Sequence, residues 1–287
     1  MTIWMPYIAL CRTYICFFAA CSTVTGYFLF SYHRMTGAFA VATAVFILSG
    51  GASALNQYQE RHIDARMERT RNRPLPSGSI TPTQALSFAS LLIFSGLLLL
   101  WLSGGITVLI LGFAAILYYN GFYTYLKRAT AYASFPGAVV GMIPPAIGWI
   151  AADGSIVDAR IAVLCFIFFM WQVPHFWLLV LNHGNEYEQA GLPSLTTVMS
   201  KAQIGRITFV WIVAAAIATL ALPLYGSVRS TFVTLSIIPL AAWLIWNERS
   251  LTGRQPFLPP SPVLFRKINI YLFLIMSLLS SDNFFLT

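Results

Sequence analysis

Charge is what this chain has least of: Asp, Glu, Lys and Arg make up 9% of its 287 residues. A soluble domain carries about 25%. Hydrophobic side chains reach 58% and the mean hydropathy is +0.73, so too little polar surface exists to cover a water-soluble body of this size. The four cysteines, Cys11, Cys16, Cys21 and Cys165, form no Cys-x-x-Cys pair, which removes the usual redox and zinc patterns. Only nine acidic residues are present against 17 basic ones. The resulting net charge of +8 could suggest a nucleic-acid partner, but the hydropathy assigns it to a membrane surface instead.

Apolar runs long enough to cross a bilayer recur along the chain, at 7–30, 37–55, 85–102, 106–125, 134–152, 161–181, 207–225, 231–246 and 268–286. None alternates as a barrel strand would. Backbone in lipid must satisfy its own hydrogen bonds, so the expected fold is all-α: nine transmembrane helices in one bundle, a single domain over residues 1–287. The first run exceeds the apolar core of a signal peptide and no basic segment precedes it, so it is expected to stay as a span. Of the 17 Lys and Arg residues, only Arg34, Arg160 and Arg229 fall on one side of these spans. The other fourteen, among them Arg12, Arg61 and Arg254, share the opposite side, which the positive-inside rule makes cytoplasmic.

Function is expected in the long loops on that side, after the second, sixth and eighth spans. The first ends in Arg73-Pro74-Leu75-Pro76-Ser77-Gly78, which breaks any helix, and Thr81-Pro82-Thr83-Gln84 has the pattern of a capping box that restarts one. Upstream, Asn56, Glu60 and Asp64 are spaced i, i+4, i+8 and so lie along one helix face. Three oxygen ligands without clustered Cys or His suit Mg²⁺, which shares its shell with substrate phosphates. A solvated helix end with acids paired to neighbouring arginines is the alternative. In that setting Asp64 is a surface carboxylate, replaceable without loss of folding. Arg69, Arg71 and Arg73 follow at once, and acids beside guanidinium groups are what a metal-bridged diphosphate requires; anchoring to anionic lipid is the other reading.

Two further clusters repeat the theme. Asn120, Tyr123 and Lys127, at i, i+3 and i+7, are expected to share a helix face, with Arg128 beside them. Asn182 and Glu186 copy the spacing of Asn56 and Glu60, and so aim a second acid at the same end. Within the sixth span stands His175, either a ligand or the wall of a substrate pocket, or a histidine donating to a helix carbonyl near Pro174. Pro144-Pro145 implies a kink in the fifth span.

Taken together, these blocks resemble the UbiA superfamily of intramembrane prenyltransferases, and within it the protoheme farnesyltransferases. The matching residues are Asn56 through Pro74, Tyr123 through Arg128, Pro144 through Trp149, Trp171 through His175, Glu186-Tyr187, and Ala190 through Pro193, in family order. The chain departs from the family's habit in having Glu60 and Glu186 where Asp is usual, and Cys11-Arg12-Thr13-Tyr14 where a Lys-Pro pair usually enters the first span. The resemblance implies farnesyl diphosphate as donor, heme b as acceptor and Mg²⁺ as cofactor, in a multi-pass protein of the bacterial inner membrane. It also implies roles: Asn56, Glu60, Asp64 and Glu186 for the metal, Arg69, Arg73, Lys127 and Arg128 for the diphosphate, and His175 and Tyr123 for the acceptor. Glu60, Asp64, Lys127 and Arg128 then carry the catalytic charge, and a downstream heme-modifying enzyme is an implied recipient of the product. An aromatic acceptor, or a heme carrier without catalysis, are the competing readings.

Overall fold

The computed structural model describes residues 4–32, 34–253 and 262–285; Arg254 and the end of the ninth expected span, from 286, lie outside them. Every regular element among these residues is helical. In chain order they are α1 (Met5–Cys11), α2 (Thr13–Phe30), α3 (Met35–Asp64), α4 (Pro82–Ile116), a π-helical segment (Leu117–Tyr123), α5 (Thr124–Ala129) and α6 (Ser134–Ala138). After a 3₁₀ turn come α7 (Ile143–Ala151), α8 (Ala159–Gln189), α9 (Leu195–Val198), α10 (Lys201–Thr219), α11 (Ala221–Leu224), α12 (Thr231–Glu248) and α13 (Pro262–Ser281).

Among the described residues eight helical stretches are long and apolar enough to cross a membrane, and the chain is an integral, multi-pass membrane protein. The third and fourth expected spans count as one of the eight, Pro82–Ala129, because a single non-helical residue, Gly105, joins them. That stretch nonetheless doubles back. Gly105 adopts φ 73°, ψ −169°, which only glycine enters freely, and a Cβ on Gly112 would collide with the Leu100 side chain. In an unbroken helix those two residues would be about 18 Å apart. The Thr81 capping box forms as expected: Thr81 accepts from the Gln84 N–H, and the Gln84 side chain accepts from the Thr81 N–H.

Two other spans differ from a plain reading of hydropathy. The first is broken at Arg12, whose φ of 51° is left-handed, a conformation that costs an L-residue about 1–2 kcal/mol. The fifth is split as its prolines imply, with α6 and the 3₁₀ turn leading into α7 and Pro144-Pro145 seated in the first turn of α7.

Burial divides the bundle into two packed halves. In one, α2, α3, α4 and α7 close around Val41, Val45, Leu48, Leu100 and Ile147. In the other, α8, α10, α12 and α13 close around Leu164, Leu178, Ile212, Ile237 and Ile268. A small third cluster, in which Leu75 and Ile80 pack on Leu10, Ala54 and Ala85, pins the 65–81 loop to the end of the bundle. Outward-facing Phe94, Leu102 and Ile106 are 68, 70 and 60% exposed, as lipid contact permits.

Within the first half, α2 and α7 approach most closely through their backbones. A Cβ on Gly148 would overlap the Thr23 carbonyl oxygen, and one on Gly26 the Pro145 carbonyl. Backbone cannot yield there as a flexible side chain could. Gly148→Val is therefore expected to destabilise the protein by about 1–3 kcal/mol, seen as a lower melting temperature of the detergent-purified protein; an unchanged melting temperature would refute this contact.

Candidate active site

The polar end of the bundle is built on α3. Its last three turns carry Asn56, Gln57, Gln59, Glu60 and Asp64, and Asn56, Glu60 and Asp64 are 0, 6 and 1% exposed. The solvated helix end is thereby excluded: these acids are interior groups, and an interior carboxylate needs a hydrogen-bonded partner. Each finds a cation from another element. Lys127 Nζ donates to Glu60 Oε2 at 2.6 Å, from α5. Arg73 Nη1 donates to Asp64 Oδ1 and Oδ2 at 2.8 and 2.7 Å, from the 65–81 loop. Thr70, fully buried, donates to the Asp64 carbonyl and fixes the turn between them. Burial pushes the Arg73 pKa down, and the charge of Arg12 adds to this, while Asp64 opposes both. A guanidinium stays charged even so.

Glu186, near the end of α8, joins the same assembly through the loop. Its Oε2 accepts the backbone N–H of Arg69 at 3.0 Å, and its Oε1 lies 3.1 Å from His183 Nδ1. The two acidic motifs, far apart in sequence, are thus tied by one hydrogen bond. Arg69 contributes its main chain to that contact, and Arg128 donates from Nη2 to the Gln59 carbonyl at 2.9 Å.

Between α4 and α5 the chain winds as a π-helix, with i→i+5 hydrogen bonding. This changes the expected common face of Asn120, Tyr123 and Lys127. The wider turn sends Asn120 to the Ala52 carbonyl and Gln59 on α3, but Tyr123 toward α8, where it stacks on Phe176. Tyr119, Tyr123 and Phe176 form a continuous stack, with centroid spacings of 6.0 and 5.9 Å and interplanar angles of 26° and 20°. Lys127 Nζ stands 5.7 Å from the Tyr123 ring centre. A cation and a row of ring faces therefore meet at one place.

His175 lies deeper on α8 and faces α13. Its ring packs between Trp171 and Phe265 at 4.6 and 4.7 Å, and Nδ1 has no partner. His175 and Tyr123 do not stack on one another, but both contact Phe176. Among residues that hydropathy and spacing did not mark, Thr124 accepts from Asn56 Nδ2, and Gln59 bridges Asn120 and Arg128. The signal available was the run of amides beside Glu60.

Mg²⁺ can be tested against these groups. Asn56 Oδ1 is buried and unpartnered, a hard oxygen one helical turn from the Glu60 carboxylate, and oxygen donors without thiolates suit this ion. Among the described residues no three Asp, Glu, His or Cys side chains cluster tightly enough to hold a metal by themselves. The donor set therefore fits an ion that also takes ligands from a phosphate.

The chain is thus an all-helical membrane bundle with acid and base groups paired at one end. Residues 8–268 match the UbiA prenyltransferase family, and the chain belongs to that family. The protoheme IX farnesyltransferase of Oleidesulfovibrio alaskensis is 35% identical over 267 residues, covering 92% of this chain and 91% of its own length. In structure the chain is similar to a digeranylgeranylglyceryl phosphate synthase, with a TM-score of 0.76 at 20% identity over 98% of this chain and 99% of the other. It is similar also to a UbiA homologue from Archaeoglobus fulgidus bound to GPP and Mg²⁺, with a TM-score of 0.69 at 12% identity over 96 and 99%. At these identities the structures establish a shared fold.

Because Asp64 is buried, its replacement acts on stability as well as on the site. Asp64→Ala strands Arg73 and is expected to lower stability by about 1–3 kcal/mol, whereas Asp64→Asn keeps the shape and should fall less. Equal melting temperatures for Asp64→Ala and the unaltered protein would place Arg73 elsewhere.

Proposed function

We propose that this chain transfers a farnesyl group from farnesyl diphosphate to a vinyl group of heme b, in the bacterial inner membrane, with its polar end in the cytoplasm. The observation that carries the reading is the meeting of three acids from two helices at one end, Glu60 paired with Lys127 and Asp64 with Arg73 on α3, and Glu186 on α8 bonded to the Arg69 backbone N–H. The acceptor follows the name of the relative that matches along nearly the whole chain. The orientation follows the fourteen-to-three division of basic residues.

In this reading Asn56, Glu60, Asp64 and Glu186 would hold Mg²⁺, which when bound would supply positive charge against the charge building on the diphosphate. Lys127, Arg73, Arg69 and Arg128 hold the remaining phosphate oxygens. Guanidinium and ammonium groups fixed in a low-dielectric site act most strongly on the charge that develops as the C–O bond breaks. The bond breaks toward oxygen, pyrophosphate leaves, and the allylic carbon bonds to the terminal vinyl carbon. Water adds to the cation so formed and releases a proton, giving a hydroxyethylfarnesyl side chain. The Tyr119–Tyr123–Phe176 stack presents ring faces to the first cation and keeps bulk water from it. His175 and Tyr123 lie on the acceptor side, and Phe176 spans them.

Purified protein is incubated with farnesyl diphosphate, Mg²⁺ and either heme b or 4-hydroxybenzoate, and products are weighed by mass spectrometry. A prenylated, hydrated heme is expected, with loss of product on adding EDTA. Glu60→Gln is expected to lower turnover about a hundredfold or more. Prenylated benzoate with unmodified heme would move the chain to an aromatic acceptor, and no product from either would remove the catalytic reading.

A further inference from the structure

The entry of the first membrane helix is irregular in a way that diphosphate chemistry alone does not explain. Between α1 and α2, Arg12 takes φ 51°, ψ 58°, although it is neither glycine nor asparagine. A break of this kind frees the carbonyls that the next turn would have used. Those of Ala9, Leu10 and Cys11 are each met by a side chain. Gln57 Nε2 donates to Ala9 O at 3.2 Å and to Leu10 O at 2.9 Å, and Cys16 Sγ donates to Cys11 O at 3.0 Å. Gln57 is 2% exposed and stands between Asn56 and Glu60 in sequence, so the same turn of α3 serves both the break and the acids.

What the break delivers is a cation. Arg12 is the one charged residue of α1 and α2 and the joint between them. Its Nε is closed off from solvent and has no partner. The nearby carboxylates are already engaged, Glu60 by Lys127 and Asp64 by Arg73. The Gln57 bonds tie the backbone just before Arg12 to the turn of α3 that carries Asn56 and Glu60, and so to the end of the bundle where Lys127 and Arg73 lie. An extra guanidinium among cations, in a region poor in water, is stabilised by an anion arriving from outside.

We propose that Gln57 holds the first membrane helix broken at Arg12, and that the break turns the Arg12 guanidinium onto the diphosphate of the donor, beside Lys127 and Arg73. Gln57 is then a positioning residue and Arg12 a ligand of the phosphate oxygens. This rests on the diphosphate reading of the site given above, and inorganic pyrophosphate with Mg²⁺ is the probe that separates the two.

Pyrophosphate binding to the full-length purified protein is measured by calorimetry, alongside the melting temperature and the kinetic constants for farnesyl diphosphate. Arg12→Asn keeps a residue that tolerates the left-handed backbone and removes the charge. It is expected to weaken pyrophosphate binding about tenfold or more, as loss of one charge-assisted hydrogen bond implies, with an unchanged melting temperature. Arg12→Lys should stay within about threefold of the unaltered protein. Gln57→Met, similar in length but without donors, is expected to raise KM for the donor by about as much as Arg12→Asn while kcat changes less. In the double variant the two effects should not add, since one residue acts through the other. Should Gln57→Met not fold, the Arg12 pair decides. Pyrophosphate binding within twofold of the unaltered protein in Arg12→Asn would overturn the inference, as would a Gln57→Met whose only change is a lower melting temperature. If the unaltered protein binds no pyrophosphate at all, the diphosphate reading fails first and this inference with it.

Discussion

Burial of carboxylates in a bundle that otherwise excludes charge is the constraint on which this structure turns. Glu60 and Asp64 sit inside, and an unpaired interior carboxylate is penalised heavily. Their partners come from segments distant in the chain, Lys127 from α5 and Arg73 from the 65–81 loop. Neutralising two acids therefore fixes the loop, the π-helical segment and the end of α3 in one arrangement. Hydrophobic packing of Leu75 and Ile80 then holds that loop against the bundle. The same pairs that stabilise the fold are the groups assigned to the diphosphate, so binding would exchange one set of ionic contacts for another rather than assemble a site anew.

Much of this was legible in the amino-acid sequence, for reasons that are local. Length and apolarity of runs depend on nothing beyond themselves, and the helices lie where those runs lie. The Thr81 capping box is a four-residue device and forms as read. The spacing of Asn56, Glu60 and Asp64 places them on one helix, and that helix forms. What could not be read is relational. Which cation meets which acid depends on how α5 and the loop fold back, and no spacing within one segment encodes it.

The differences share a physical origin in backbone that departs from the α-helix. Periodicity assumes 3.6 residues per turn, and the Leu117–Tyr123 segment does not obey it, so Tyr123 leaves the face of Asn120 and reaches Phe176, while Lys127 stays beside its ring. Arg12 breaks a run that hydropathy shows as seamless, and the compensating donor, Gln57, sits 45 residues further along. A break is cheap to encode where another helix supplies its hydrogen bonds, and such help leaves no mark in the broken segment itself.

The length of α3 carries a last consequence. Thirty residues rise about 45 Å, whereas the hydrocarbon core of a bilayer is about 30 Å thick. The excess is close to the polar stretch from Asn56 to Asp64, which therefore stands at headgroup depth. A thicker bilayer would draw that stretch toward the acyl chains and a thinner one would lift it into water. Hydrophobic mismatch thus acts on the depth at which the end of α3 meets the headgroups.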